Sequence, residues 1–234
     1  MTESSCTILA FDTSTACCSA ALLVDGTLIG EDTRSGAGNY SALLLQMVNR
    51  LLQDAALTIH EINCIAVAQG PGSFTGLRVG ISTAQGLGFA LTKPVIGVST
   101  LEIVATQNMP FGGTLCPMLD ARRNQVYTCL FEDTGNAAKA ISDKNVVCPQ
   151  QWVSSLQGPV LFCGNGAQVY RQAIKQACTT EHYFAPDMNS RPQAAMLAHI
   201  ALNRFVNGQS SQHGQILPCY VRRPDAERAA AGRI

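Results

Sequence analysis

The 234-residue chain lacks most of the signatures that would mark it as an enzyme. Its four histidines, His60, His182, His199 and His213, stand apart and form no HExxH, so the paired ligands of a zinc hydrolase are missing. There is no GxSxG elbow, which removes the usual serine hydrolase. None of the ten cysteines forms a CxxC pair, so a zinc ribbon is not indicated. Charge of one sign is also missing. Sixteen Lys and Arg balance sixteen Asp and Glu, which makes the chain a poor stand-alone binder of nucleic acid. No apolar run is long enough to span a bilayer. Met1–Cys6 has neither the basic region nor the apolar core of an export signal, so the expected location is the cytoplasm. Without export, an even cysteine count does not argue for disulfides. Cys17, Cys18, Cys64, Cys129 and Cys163 lie in apolar strand-like runs and read as small buried hydrophobes.

What is present is a large apolar fraction, 47%, against 14% charged residues, the composition of a compact globule. The most informative stretch runs from Val67 to Gly80. An apolar run, Ile62 to Ala68, predicts a buried strand. It ends in Gly70-Pro71-Gly72, and Ser73 or Thr75 can cap a helix starting near Phe74. Strand, glycine turn and helix N-terminus make a ready anion site, because free N–H groups and the positive dipole end point the same way. The spacing is neither a Walker A loop nor a Rossmann fingerprint. The chain has the shape of a phosphate cradle without the standard phosphate chemistry.

Periodicity gives an α/β organisation. Strands are expected at Ile8 to Asp12 and Cys17 to Val24, with Asp25-Gly26 turning the chain into Thr27 to Glu31. A helix at about Tyr40 to Ala56, capped by Asn39 or Ser41, follows; after the glycine turn come a helix to about Leu91 and a strand at Val95 to Val98. The second half repeats the order: a strand at Leu115 to Asp120, a turn at Ala121 to Asn124, a strand at Gln125 to Glu132, and Val160 to Cys163 entering Gly164-Asn165-Gly166 and a helix at about Gln168 to Ala177. Asp12 to Asp25 and Asp120 to Asp133 are both thirteen positions apart. The pattern suggests a duplicated α/β domain. The first subdomain is placed at residues 1–105, completed by an apolar-faced helix within 191–207, the second at 106–190, and a tail at 208–234.

Two helices invite a partner. On the first, Gln46, Asn49, Arg50, Gln53 and Asp54 share one narrow side, and the apolar arc is wider than a single core needs. The second carries Gly76, Gly80, Ala84 and Gly88 at four-residue spacing, a smooth row on which another backbone can approach closely. That row fits either packing on the chain's own sheet or a helix bundle across an interface. The interface expected from both helices comprises Leu44, Leu45, Val48, Leu51, Leu52, Gly76, Gly80 and Ala84. Asp12 and Asp120 each end a strand at a turn. A catalytic or magnesium-binding role is one reading; the simpler one is that each caps its own turn.

These residues match a family. Ile8-Leu9-Ala10-Phe11-Asp12-Thr13-Ser14-Thr15, the Asp25-Gly26 hairpin, the Gly70-to-Arg78 run GPGSFTGLR and Pro218-Cys219-Tyr220-Val221-Arg222 resemble the TsaB, or YeaZ, family over nearly the whole chain. The resemblance implies the duplicated actin-like, Hsp70-like, sugar-kinase-like ATPase fold with two subdomains. It implies a non-catalytic partner of the paralogue TsaD, which with TsaE installs threonylcarbamoyl on the adenosine beside the anticodon of tRNA. In that reading tRNA is met only through the complex, the same helix surface allows a homodimer, and there is no membrane partner. TsaD holds its metal through an HxxxH pair; here Asn39 to Leu44 carries no histidine, so no metal site is implied. Where the nucleotide fold has glycines after the Asp, this chain has Thr13-Ser14-Thr15, which leaves less room for a triphosphate. Asp12, Thr13, Gly70, Gly72, Ser73, Thr75, Gly164 and Gly166 are therefore read as vestigial phosphate and nucleotide loops, with no catalytic residue and no cofactor on the isolated chain. The alternative is an autonomous ATP-dependent phosphotransferase of the same fold. A metallopeptidase, as the family was once grouped, is argued against by the missing ligands.

Overall fold

A computed structural model describes residues 6–35, 40–209 and 216–222. The elements run β1 (Thr7–Asp12), β2 (Cys17–Val24), β3 (Thr27–Ser35), α1 (Tyr40–Asp54), β4 (Cys64–Gly70), α2 (Phe74–Leu91), β5 (Val95–Ser99) and α3 (Thr100–Thr106). They continue β6 (Thr114–Asp120), β7 (Val126–Thr128), β8 (Phe131–Asp133), β9 (Ala138–Ala140), β10 (Asn145–Val147), α4 (Pro149–Val153), β11 (Val160–Cys163), α5 (Asn165–Val169), α6 (Arg171–Ala177), β12 (His182–Phe184) and α7 (Ala194–Val206). Two compact units result. The first holds the described residues to Ile103 with 192–209 and 216–218; the second holds 104–191 with 219–222.

Each unit is built on the same sheet. The order is β3-β2-β1-β4-β5 in the first and β10-β7-β6-β11-β12 in the second. In both, the first strand pairs antiparallel with the second and parallel with the fourth position, and the last two strands are parallel. The register repeats too: Thr7 lies opposite Val24 and Thr114 opposite Glu132, so Asp25 and Asp133 hold matching places. The duplication read from spacing is thus present in the hydrogen-bond ladder.

In the first unit β1 and β4 are nearly continuous apolar runs because both sheet faces are covered. Leu9, Phe11, Leu22, Ile65 and Val67 face α1 and α2, meeting Leu44, Met47, Val48, Leu51, Leu52, Leu77 and Ile81. Ile8, Ala10, Leu23, Ala66 and Val98 face the other way, against Leu197, Ala198 and Ala201 of α7. Arg204 of α7 donates to both Glu102 oxygens at 2.6 and 2.7 Å and to the Gly97 carbonyl at 2.8 Å. Asp25 and Gly26 both take positive φ, 49° and 77°, as the tight hairpin turn requires. Cys17, Cys18, Cys64, Cys129 and Cys163 are buried free thiols. Among the described residues no helix is long and apolar enough to cross a membrane.

Several boundaries differ from the sequence reading. α1 begins at Tyr40, so Ser41 sits in its first turn and does not precede it; Asn39 lies outside the described residues. The strand expected at Ile62 to Ala68 is shifted to Cys64–Gly70, and β3 extends to Ser35. The strand expected over Gln125 to Glu132 is broken into β7 and β8 at Cys129-Leu130. There Leu130 N–H donates to the Ser142 hydroxyl at 2.8 Å and Ile141 N–H to the Leu130 carbonyl, diverting the ladder from β6. The helix expected at Gln168 to Ala177 is divided into α5 and α6 at Tyr170, whose φ of −101° and ψ of 16° leave the helical region. α7 starts at Ala194 because Arg191 precedes Pro192, and the residue before proline is pushed out of the helical region.

Candidate functional site

The glycine turn is already filled. Ser73 caps α2, its hydroxyl accepting Gly76 N–H at 3.3 Å. Ser73 N–H donates to the Ser14 carbonyl at 2.7 Å, and the Thr13 hydroxyl donates to the Gly76 carbonyl at 2.7 Å. A Cβ on Gly72 would collide with the Ser14 carbonyl oxygen, one on Gly76 with that of Thr13, and one on Gly80 with the Thr13 hydroxyl. The room those glycines create is taken by the chain's own β1–β2 turn. Gly70, φ 106°, joins Pro71 by a cis peptide and supplies the sharp exit from β4. Thr75 is exposed in the first turn of α2. The anion cradle expected from strand, glycine turn and helix therefore has no space for a triphosphate between Gly72 and Gly80.

Asp12 is buried at the base of this turn and accepts Ser14 N–H at 2.9 Å. Burial pushes its carboxyl up to about 6, with hydrogen bonding from Ser14 pulling the other way. The buried hydroxyls of Ser19, Ser99 and Thr100 have no hydrogen-bond partner among the described residues. Ser19 lies opposite Asp12 in the β1–β2 register. Asp120 makes the equivalent bond in the second unit, accepting Arg122 N–H at 2.9 Å. Both carboxylates cap their own turns. No group of three or more His, Cys, Asp and Glu comes together among the described residues, so no donor set for a metal is assembled there.

In the second unit Gly164, φ 91°, and Gly166 press on the end of β6. Added Cβ atoms would meet the Met118 carbonyl and the Leu119–Asp120 backbone. Asn165 accepts Asp120 N–H at 3.2 Å and the Tyr170 hydroxyl donates to Asp120 at 3.1 Å. The turn after Asp120 is unusual: Arg122, Arg123 and Asn124 all take positive φ, 59°, 53° and 56°. Each arginine there costs roughly 1 kcal/mol relative to a right-handed residue. Arg222 holds this turn, donating to the Ala121 carbonyl at 3.0 Å and to Gln125 Oε1, with its guanidinium 5.9 Å from the Tyr127 ring centroid. Sequence reasoning singled out Arg222 without finding its partners, which are about a hundred positions away. It missed the Arg122-to-Asn124 conformation altogether, because arginine carries no left-handed signal.

The eight expected interface residues separate cleanly. Leu44, Val48, Leu51, Leu52 and Ala84 are buried in the first unit's own core, and Gly76 and Gly80 face Thr13. The wide apolar arc on α1 is thus covered mainly by this chain's own sheet. Leu45, 50% exposed, is the member left on the surface. α2 carries two further exposed apolar side chains that sequence reasoning passed over, Phe74 and Phe89, the latter 89% exposed. Arg78 stacks on the Phe74 ring at 3.8 Å, and a Cβ on Gly86 would meet nothing within 4 Å. Phe89 was visible in sequence as an aromatic falling off the glycine row.

Comparison with known proteins places this geometry. A family model described as TsaD, tRNA N6-adenosine threonylcarbamoyltransferase, matches residues 34–230. The tRNA threonylcarbamoyladenosine biosynthesis protein TsaB of Bacillus subtilis (strain 168) is 33% identical over 225 residues, which is 94% of this chain and 96% of the relative. Among solved structures, YeaZ from Pseudomonas aeruginosa is similar at a TM-score of 0.78 and 29% identity, covering 92% of this chain and 99% of that one. The activator of the 2-hydroxyisocaproyl-CoA dehydratase from Clostridium difficile, solved with bound ADPNP, is similar at a TM-score of 0.52 and 11% identity, covering 87% of this chain and 97% of that one. The last likeness shows the fold alone, a duplicated α/β architecture.

Proposed function

The chain belongs to the TsaB family of tRNA threonylcarbamoyladenosine biosynthesis proteins, and on that premise we propose that it acts there as a non-catalytic subunit that docks a TsaD-type transferase. The observation that carries this reading is the filled glycine turn. Thr13 and Ser14 occupy the space beside Gly72, Gly76 and Gly80 that a triphosphate would need, and Ser73 N–H is already bonded to Ser14. Residues that would hold ATP therefore do not fit it, and no phosphoryl-transfer step is assigned to them. What the helices offer instead is exposed apolar side chains, Leu45 on α1 and Phe74 and Phe89 at the two ends of α2, which a partner could cover. A TsaD-type paralogue is the first partner of that surface and a second copy of this chain its competitor; a TsaE-type ATPase joins the assembled pair. Reconstitution tests the proposal. Threonylcarbamoyl transfer to tRNA should require this chain together with the TsaD-type and TsaE-type proteins, while the chain alone transfers nothing. Transfer at an undiminished rate without the chain would sink it.

A further inference from the structure

The turn after β6 reverses the chain at a place where simpler residues would serve. Elsewhere in the chain the Asp25-Gly26 turn fills its two left-handed positions with an aspartate and a glycine, residues that tolerate or favour that conformation. Here two of three consecutive left-handed positions are arginine, a residue with no conformational reason to be there. Local choices that oppose the fold's own preference are found where function selects them.

Four residues outside the turn hold it in this shape. Asp120 accepts Arg122 N–H and the Tyr170 hydroxyl, Asn165 accepts Asp120 N–H, and Arg222 spans the turn from Ala121 to Gln125. The Arg122 and Arg123 side chains are exposed at its tip. No hydrogen bond or ion pair holds the Arg122 guanidinium among the described residues. The nearby carboxylate, Asp120, is already engaged by two donors. Arg171, next in the chain to Tyr170, lies over the Phe184 ring.

We propose that the Ala121–Gln125 turn is a rigid phosphate-gripping tip that touches the RNA backbone of the tRNA substrate, with Arg122 and Arg123 as the gripping residues and Arg222 as their positioning residue. This rests on the reading of the chain as a tRNA-modification subunit. It adds a direct RNA contact to a chain whose balanced net charge gives no sign of one. A guanidinium presents a planar fork of donors that matches a phosphate, and a backbone already fixed in the turn has little further freedom to lose on binding.

The test uses the complex of this chain with its TsaD-type partner, and a tRNA transcript titrated at several salt concentrations. Arg122→Gly with Arg123→Gly removes both charges while keeping residues that favour the left-handed turn. The expected result is normal complex assembly, several-fold weaker tRNA binding, and a log–log salt slope smaller by roughly one for each phosphate no longer neutralised. Arg222→Lys keeps the charge but not the two-pronged grip, so it should weaken tRNA binding without changing assembly or thermal stability by more than a few degrees. Unchanged affinity and slope in the double variant would overturn the proposal while leaving the accessory-subunit reading intact. Failed assembly with unchanged tRNA affinity would assign the arginines to a partner carboxylate and overturn it as well. Failure of the wild-type chain to assemble would remove the accessory-subunit reading and the proposal together.

Discussion

The Thr13 hydroxyl donates to the Gly76 carbonyl at 2.7 Å across sixty-three positions of sequence. Around this bond the β1–β2 turn and the first turns of α2 fit so closely that Gly72, Gly76 and Gly80 leave no room for a side chain. A motif shaped like a phosphate cradle has become a packing joint.

Gly76→Ala should therefore destabilise the protein by about 1–3 kcal/mol, since its Cβ meets a backbone carbonyl that cannot swing aside. Gly86→Ala on the same helix meets nothing within 4 Å and should stabilise it by up to about 1 kcal/mol. Urea denaturation of the two variants checks the pair; equal effects would mean the glycine row is not set by Thr13.

Asp12 should make stability depend on pH in an unusual sense. Its carboxyl titrates at about 6 when folded, above the ordinary 3.8, because burial disfavours the charge. The folded state then holds its proton more tightly than the unfolded chain, so stability from this group is full below about pH 4 and falls as pH rises to about 6. Asp12→Asn keeps an oxygen for Ser14 N–H. It should be more stable than wild type at pH 7 by up to about 3 kcal/mol, the value of two pKa units, with the difference vanishing near pH 4. Thermal melts of both proteins across that range would show it; a gap that widens toward acid would refute the assignment.

At the helix surface, Leu45→Glu and Phe89→Glu should abolish binding of the TsaD-type partner while the chain stays folded, because both side chains already face water. Leu44→Ala, one residue from Leu45 but fully buried, should instead cost about 2–5 kcal/mol of stability. Size-exclusion chromatography with the partner, alongside circular dichroism, separates the outcomes. Partner binding by both Glu variants would move the interface elsewhere.

Titration calorimetry of the isolated chain with ATP and magnesium should show no binding heat, because the Gly72-to-Gly80 space is filled from within. A saturable heat abolished by Asp12→Ala would revive the autonomous phosphotransferase.

Sequence by itself determined the fold to a useful depth. Alternation and apolar runs located β1, β2, β6 and β11, because a strand buried on both faces admits little but apolar residues. Asp25-Gly26 announced its hairpin through the one conformation those residues favour, and the thirteen-position spacing of two Asp pairs foretold a repeated ladder. Tertiary structure alone decided what the motifs do. A row of small residues says that something packs closely, but whether it is Thr13 of the same chain or a neighbour's backbone depends on residues far away in sequence. The same holds for α1: Leu44 and Leu45 are adjacent and chemically alike, and the placement of β2 buries one and leaves the other exposed. A turn was expected at Ala121 to Asn124, but its left-handed shape was not legible, for the opposite reason. The local preference of Arg122 and Arg123 points away from the conformation they adopt, and Asp120, Asn165, Tyr170 and Arg222, brought together by folding, hold it there.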